Sequence, residues 1–416
     1  MLTRFYIDNF KSLTDFSLPP IGNEELPNFV CLIGLNGAGK STVLQALDFL
    51  SQLVTGNVGT WLATRKWEKT HILTKANKKR TISFKLEFVD LFGRLTWSGA
   101  YNVLEGKCVS EELEFVVDET SGFKGFRNNH IKYERGVIRD AYSARVELTS
   151  DFEGSVFAAL KHSALDRRDG MLIIWLRHYL SGVKSLELLA PNSMRAPSRE
   201  AVDVGLGGER LAAFINGLST QEKKTLLIEL AKFYPRLKKI STNSAQFGWR
   251  RVFVSELFDS EFESDARHVN DGLLRLAAIV AQTIAEEGAI KELTRTSDDE
   301  DLGNPAHKNY QFILLEEIEN GINPELVQRL VTYLVNARQQ VFVTTHSPLI
   351  LNYLEDEQAK KSVFLLYRKK NGTSGVIRFF DIPLVASRLE SMGPGEAYLD
   401  VGLEKLSGKL SGAEAI

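Results

Sequence analysis

The sequence predicts a mixed α/β fold that carries an antiparallel β layer and a helical insertion, and three observations predict it. A continuous apolar run, Phe29–Ile33 (FVCLI), ends at Gly34 and is followed over 40–54 by apolar side chains at helical spacing. Residues 81–148 break instead into short alternating segments separated by turn residues. The last third returns to apolar runs at 311–315 and 341–345, with helical patterns around them. Unbroken apolar runs suit strands covered on both faces, as in a parallel sheet; alternation suits a sheet with one wet face.

In chain order, residues 2–7 alternate as a strand and turn near Asp8 and Asn9. The helix after Gly34 shows Val43, Leu44, Leu47, Leu50 and Leu53 on one stripe. TISFKLEFV, RLTWSGAYNVL, EELEFVVD, HIKYERGVI and ARVELT then read as the antiparallel layer. Residues 155–235 are mostly helical, clearest at 209–217 and 221–233, with one strand at Lys184–Leu189. An amphipathic helix is expected over 270–287 and another over 324–337, where Pro324 suits a first helical position. Thr294–Pro305 is acidic and rich in turn residues, and is expected to be mobile. Strands at 362–367 and 376–380 flank Asn371-Gly372, a hairpin signal. The tail after Gly393 is rich in Gly and Ser and is expected to be only partly ordered. The expected domains are an N-terminal lobe over 1–100, the β layer and insertion over 101–245, a C-terminal lobe over 246–393, and a tail over 394–416.

Composition sets the outer limits. With 44% hydrophobic and 25% charged residues in 416, the chain reads as globular, with length for two or three domains. A net charge of -2 announces no nucleic-acid field and forbids none. The two cysteines, Cys31 and Cys108, make no disulfide framework, which fits a reducing compartment. The N-terminus has no apolar signal-like stretch, and no run approaches the ~20 apolar residues that cross a bilayer. The expectation is a cytoplasmic protein with no membrane partner.

Four motifs carry chemistry. Gly34-Leu35-Asn36-Gly37-Ala38-Gly39-Lys40-Ser41 fits G-x-x-x-x-G-K-[ST] at every fixed position. Its glycines let the backbone wrap phosphates with N–H groups inward, and the following helix presents its positive end to the same anion. Lys40 then reaches the β- and γ-phosphates, and the Ser41 hydroxyl is a Mg²⁺ ligand. The second motif is Glu316-Glu317, at the end of the apolar run 311–315. One acid there can reach Mg²⁺ through water, and its neighbour can act as general base; two solvated carboxylates are the plainer reading. The third is Thr344-Thr345-His346-Ser347-Pro348, where the histidine can touch a γ-phosphate or the attacking water. The fourth is Asn270-Asp271-Gly272-Leu273-Leu274-Arg275, at a helix start. It can simply cap that helix or meet a phosphate, including one bound to another subunit. Basic clusters at Lys75–Arg80, Arg167-Arg168, Lys238-Lys239, Arg250-Arg251 and Arg368–Lys370 read first as solvated faces.

Together these pieces resemble the ABC-type ATPase heads of the RecF, SMC and OLD-like families, across about half the chain. Ile7-Asp8-Asn9-Phe10-Lys11-Ser12-Leu13 looks like their first-strand motif, which implies that Lys11 and Ser12 lie near the nucleotide. Gly34–Ser41 looks like Walker A, implying nucleotide contacts from Asn36, Gly37, Ala38, Gly39, Lys40, Ser41 and Thr42. Glu316-Glu317 with Ile318–Pro324 resembles Walker B and its D-loop, implying Mg²⁺ on Ser41 and Glu316 and catalysis by Glu317. His346 matches the switch histidine. Asn270, Asp271 and Gly272 resemble the signature that such heads present to each other's ATP. Two positions depart from the pattern: Glu316 stands where Asp is usual, and Asn270 where Ser is usual. No glutamine suits the Q-loop; Gln45 and Gln52 fall on the helix after Walker A.

The resemblance implies an ATPase with ATP and Mg²⁺ as cofactors, working as a homodimer or higher homo-oligomer through its heads. The residues after His346 show no Toprim-like acidic cluster, and no long coiled coil occurs. Leu188-Leu189-Ala190-Pro191 and Phe233-Tyr234-Pro235 look like segments of stand-alone ATPases of this group, which work with a separately encoded nuclease or effector, often in phage defence, with DNA as a further partner. The alternatives are a RecF-like repair ATPase and a slow-turnover scaffold switched by ATP.

Overall fold

The structure is a computed structural model, and it describes residues 1–22, 24–75, 77–90, 92–118, 128–139, 145–147, 152–160, 167–187, 189–244, 246–285 and 312–412. Its contacts group the chain into two compact units, 1–183 with 355–416, and 184–354.

In the first unit, β1 (Leu2–Asp8) is buried on most positions and pairs antiparallel with the short β2 (Phe16–Leu18). The chain then forms β3 (Phe29–Ile33), whose five residues are all buried. The Lys40–Thr55 helix follows directly and buries Val43, Leu44, Leu47, Leu50 and Leu53 along the predicted stripe. The antiparallel layer is β4 (Thr81–Val89), β5 (Gly93–Asn102), β6 (Lys107–Val117), β7 (Asn129–Glu134), β8 (Val137–Arg139) and β9 (Arg145–Glu147). Its order is β2-β1-β4-β5-β6-β7-β8-β9, so the first strand of the chain belongs to this layer. Asn9 fastens that junction: its Nδ2 donates to the Lys79 and Thr81 carbonyls at 3.0 and 2.9 Å. The Arg167–Ser181 helix packs on the Lys40–Thr55 helix, and its Tyr179 ring stacks on Phe88 of β4 at 4.9 Å.

The second unit contains the helices Leu211–Gly217, Thr220–Phe233, Asp271–Ile284 and Pro324–Val335. The expected strand near 184–189 appears as β10 (Val183–Leu186). A three-stranded antiparallel sheet, β11 (Leu237–Ser244), β12 (Arg250–Leu257) and β13 (Glu261–Asp265), is not among the sequence expectations. β14 (Phe312–Leu315) and β15 (Gln340–Thr344) are wholly buried and pair in parallel, as their unbroken apolar runs predict.

The chain then returns to the first unit. β16 (Val363–Arg368) pairs in parallel with β3 and antiparallel with β17 (Ser374–Arg378), closing the predicted Asn371-Gly372 hairpin. The tail corrects its expectation: Pro394–Val401 and Leu403–Gly412 are helices. Pro394 starts the first, and Ala397, Val401, Leu403 and Leu406 are buried, so apolar spacing outweighs the Gly and Ser content. The acidic segment 294–305 and the last four residues lie outside the described residues. Among the described residues no helix is long and apolar enough to cross a membrane.

Candidate functional site

In the first unit, β3 delivers the chain to Gly34, which sits at φ 145°. A Cβ there would fall 2.3 Å from the Leu366 carbonyl oxygen, so the turn takes only glycine. Gly39 closes the loop at φ 110°, and a Cβ there would strike Ser374 Oγ at 2.3 Å. Gly39 is also the N-cap of the Lys40–Thr55 helix and offers no side-chain cap. The first N–H groups of a helix lack intrahelical acceptors, so this end can receive an anion. Lys40 is 6% exposed, and its Nζ donates to the Gly34 and Leu35 carbonyls at 2.9 and 3.3 Å. Asn36 and Gly37 are exposed at the loop tip, Ala38 is buried, and Ser41 and Thr42 are half-buried in the first helical turn.

Ser12 touches this loop, since its Oγ lies 3.1 Å from the Cβ position of Gly39. Ser374 donates its single hydroxyl proton to the Ala38 carbonyl at 2.7 Å, so in the 2.9 Å contact between the two serines Ser12 is the donor. Lys11 Nζ donates to Gln45 Oε1 at 2.8 Å and stands 3.3 Å over the Trp67 ring. Asp48, one turn beyond Gln45, takes Trp61 Nε1 at 2.7 Å and Arg65 at 2.6 Å, which ties that aromatic segment to the helix. Both tryptophans are therefore packing residues here, 5.4 Å apart edge to face.

In the second unit, Glu316 and Glu317 leave the end of β14 half-buried. Glu317 has φ 46°, a left-handed conformation that a non-glycine residue adopts at a cost of order 1 kcal/mol or more and that clusters at working sites. Its N–H donates to Thr344 Oγ1 at 3.0 Å, its Oε2 accepts from Asn320 at 2.5 Å, and its Oε1 lies 3.6 Å from His346 Nε2. Glu319 holds the histidine loop: its Oε1 accepts from Thr345 Oγ1 at 2.8 Å and from the His346 N–H at 3.0 Å. Among the described residues its buried Oε2 has no hydrogen-bond partner. Sequence reading placed Glu319 only inside the D-loop stretch and gave it no role.

The helix-start motif is in the same unit. Asn270 Oδ1 accepts from the Leu273 N–H at 2.8 Å and from Tyr234 Oη at 3.1 Å, so the capping reading is realised. Asp271 pairs with Arg195 at 2.5 Å. Gly272 faces the D-loop, and a Cβ there would lie 3.1 Å from the Gly321 carbonyl oxygen. Arg275 sits against Gly321; burial pulls its pKa down, while the Asp271 and Glu317 carboxylates pull it up. A cavity of about 970 Å³, lined by residues of the helices 220–233 and 324–335, includes none of the predicted site residues. Among the described residues no group of three or more His, Cys, Asp or Glu could hold a metal alone. A Mg²⁺ held by a hydroxyl, one carboxylate and substrate phosphates fits that donor set.

A buried strand, a glycine-locked loop and a helix start without a side-chain cap, with paired acids and a histidine after parallel strands, are the parts of a P-loop ATPase and are similar to those of ABC, SMC and OLD-like heads. Residues 1–246 match the AAA ATPase domain family, and residues 141–352 match the AAA domain family described as putative AbiEii toxin, Type IV TA system. The chain belongs to the AAA ATPase domain family. It is 30% identical over 120 residues to an OLD nuclease of Thermus scotoductus, a match that spans 28% of this chain and 20% of that protein. A crystal structure of an SMC head bound to the C-winged helix domain of ScpA aligns over 90% of this chain and 96% of its own, with a TM-score of 0.50 and 11% identity. That likeness concerns the fold alone.

Proposed function

We propose that this chain binds ATP with Mg²⁺ and hydrolyses it, and that ATP draws two heads together to control a DNA-directed process or a separately encoded effector, in phage defence. The observation that carries this reading is the loop Gly34–Ser41, set between a buried strand and a helix start with no side-chain cap. Its amides and Lys40 hold the β- and γ-phosphates. Mg²⁺, when bound, would offset phosphate charge, with Ser41 and Glu316 as the residues to hold it. Glu317 takes the proton of the attacking water as general base. Asn320 and His346 set the direction of its carboxylate, and Glu319 sets the His346 backbone. Asn270, Asp271 and Gly272 are offered to the nucleotide of a second head. The family description as a putative toxin and the OLD nuclease likeness support a defence role acting on nucleic acid or through an effector.

The test is phosphate release from ATP by the purified chain, with and without DNA, beside its Lys40→Ala variant. Turnover no higher than that variant's removes the hydrolase reading. Co-purification with the product of a neighbouring gene, followed by a nuclease assay of each component, tests the effector. The committed cap at Asn270 favours a second reading, a head that binds ATP and turns over slowly; turnover slower than nucleotide exchange would select it.

A further inference from the structure

We propose that Arg368 is a positioning residue for the nucleotide, which fixes the Gly34–Ser41 loop from its outer side in the shape that receives phosphate. The inference rests on that loop being the nucleotide site. A loop that turns its N–H groups inward turns carbonyls outward, because the two point opposite ways along one planar peptide. Those carbonyls need donors. Arg368, exposed at the end of β16, donates Nε to the Gly37 carbonyl and Nη1 to the Gly372 carbonyl, each at 2.5 Å. It thus ties the loop tip to the β16–β17 turn. Ser374, fully buried at the start of β17, takes the Ala38 carbonyl, and the Leu366 carbonyl of β16 lies against Gly34. One hairpin therefore meets the loop at Gly34, Gly37 and Ala38. The hairpin also meets the Leu403–Gly412 helix, where the Ser411 hydroxyl shares its one proton between the Arg368 and Ser407 carbonyls.

Only a fork can do this. A guanidinium presents several donors in one rigid plane and spans two carbonyls, whereas an ammonium is a point charge on a flexible stem. Nothing in the sequence marks Arg368 apart from Lys369 and Lys370 beside it, and the three together read as a solvated basic run.

The experiment is equilibrium binding of a fluorescent ATP analogue to the full chain and to Arg368→Ala, Arg368→Lys and Lys370→Ala, with thermal melts of each. Arg368→Ala weakens binding about tenfold or more, the scale of a charged hydrogen bond, with its melting point held. Arg368→Lys does not restore affinity, and Lys370→Ala stays within about twofold of wild type. Over a range of ATP concentrations the Arg368→Ala defect shows in KM more than in kcat, so turnover recovers at saturating ATP. Wild-type affinity in Arg368→Ala, full rescue by lysine, or an equal loss in Lys370→Ala overturns the proposal; the last two would leave charge alone as the cause. Hydrogen exchange on the wild-type chain supplies a measurement free of folding defects. Saturating analogue protects 365–374 together with 34–42, and protection of 34–42 alone overturns the proposal. A wild-type chain that binds no analogue removes the nucleotide site itself, which is a different result.

Discussion

Lys40 shows what a single side chain contributes here. It is buried along the loop, where its ammonium is held by two loop carbonyls, so its charge stands ready beside the anion position. Lys40→Ala is expected to lower ATP affinity by about a hundredfold or more, because no other side chain of the motif carries charge to the β- and γ-phosphates. Titration calorimetry checks it, and wild-type affinity in the variant would falsify the site. Glu111 of β6 has no part in that chemistry and makes a separate prediction. Its carboxylate is fully buried and accepts from Ser155 Oγ and the Val156 N–H at 2.5 Å each, and from Trp97 Nε1 at 3.1 Å. Burial raises its pKa from 4.5 to about 7 against the pull of those donors. The unfolded chain thus loses this proton at lower pH than the folded chain does. Between about 4.5 and about 7 the folded state binds more protons, so stability falls as pH rises through that window, by at most about 3 kcal/mol from this group. Urea midpoints at about pH 5 and about pH 8 should diverge less in Glu111→Gln than in wild type. Equal divergence would mean that Glu111 titrates alike in both states.

At the scale of elements, the strands and helices that build the site were legible because burial is written into them. FVCLI, FILL and QVFVT are buried at every position, and the helix Pro324–Val335 begins at its proline behind an Asn323 cap. β11 was not legible: LKKISTNS has one buried residue and no alternation for a two-period pattern to find. The tail helices were hidden by glycine and serine, although apolar spacing at Ala397, Val401, Leu403 and Leu406 was present. Among the candidate residues, fixed-spacing motifs point to Lys40, Glu317 and His346, while the contacts of Glu319 and Arg368 are ones that no spacing encodes. Lys11 and Ser12 share the first-strand motif; Ser12 lies against Gly39 of the loop, while the Lys11 ammonium donates to Gln45 and stands over the Trp67 ring. The turn after β14 carries its own prediction. Glu317→Gln keeps the left-handed backbone and the bond from Asn320, but its amide cannot accept the proton of water. ATP binding should persist, while hydrolysis falls by about 10²–10⁴, read as phosphate release under saturating ATP. If Glu316→Gln lost hydrolysis and Glu317→Gln kept it, the roles of the two acids would be exchanged.

For the whole molecule, the nucleotide loop belongs to one compact unit and the acids, His346 and Asn270–Gly272 to the other. The signature is proposed to reach the ATP of a second copy. A head-to-tail pair of heads is two-fold symmetric, so each copy gives a signature and receives one. Asn270 already caps its own helix, which leaves the helix amides and Gly272 as the groups able to meet a partner's phosphate. Gly272→Asp places a carboxylate against that phosphate and should abolish turnover. A Cβ at this position also crowds the Gly321 carbonyl, at 3.1 Å, so Gly272→Ala is the control and should keep most activity. Lys40→Ala is inactive for a different reason, the loss of its nucleotide contact. In an equal mixture of Lys40→Ala and Gly272→Asp, about half of randomly formed dimers pair one of each. Each such dimer holds one site with an intact loop and an intact signature, so about a quarter of wild-type turnover should return if one site fires alone. Each variant assayed alone at the same total concentration should stay inactive. Full turnover by Gly272→Asp alone would leave the motif as a helix cap and end the trans arrangement.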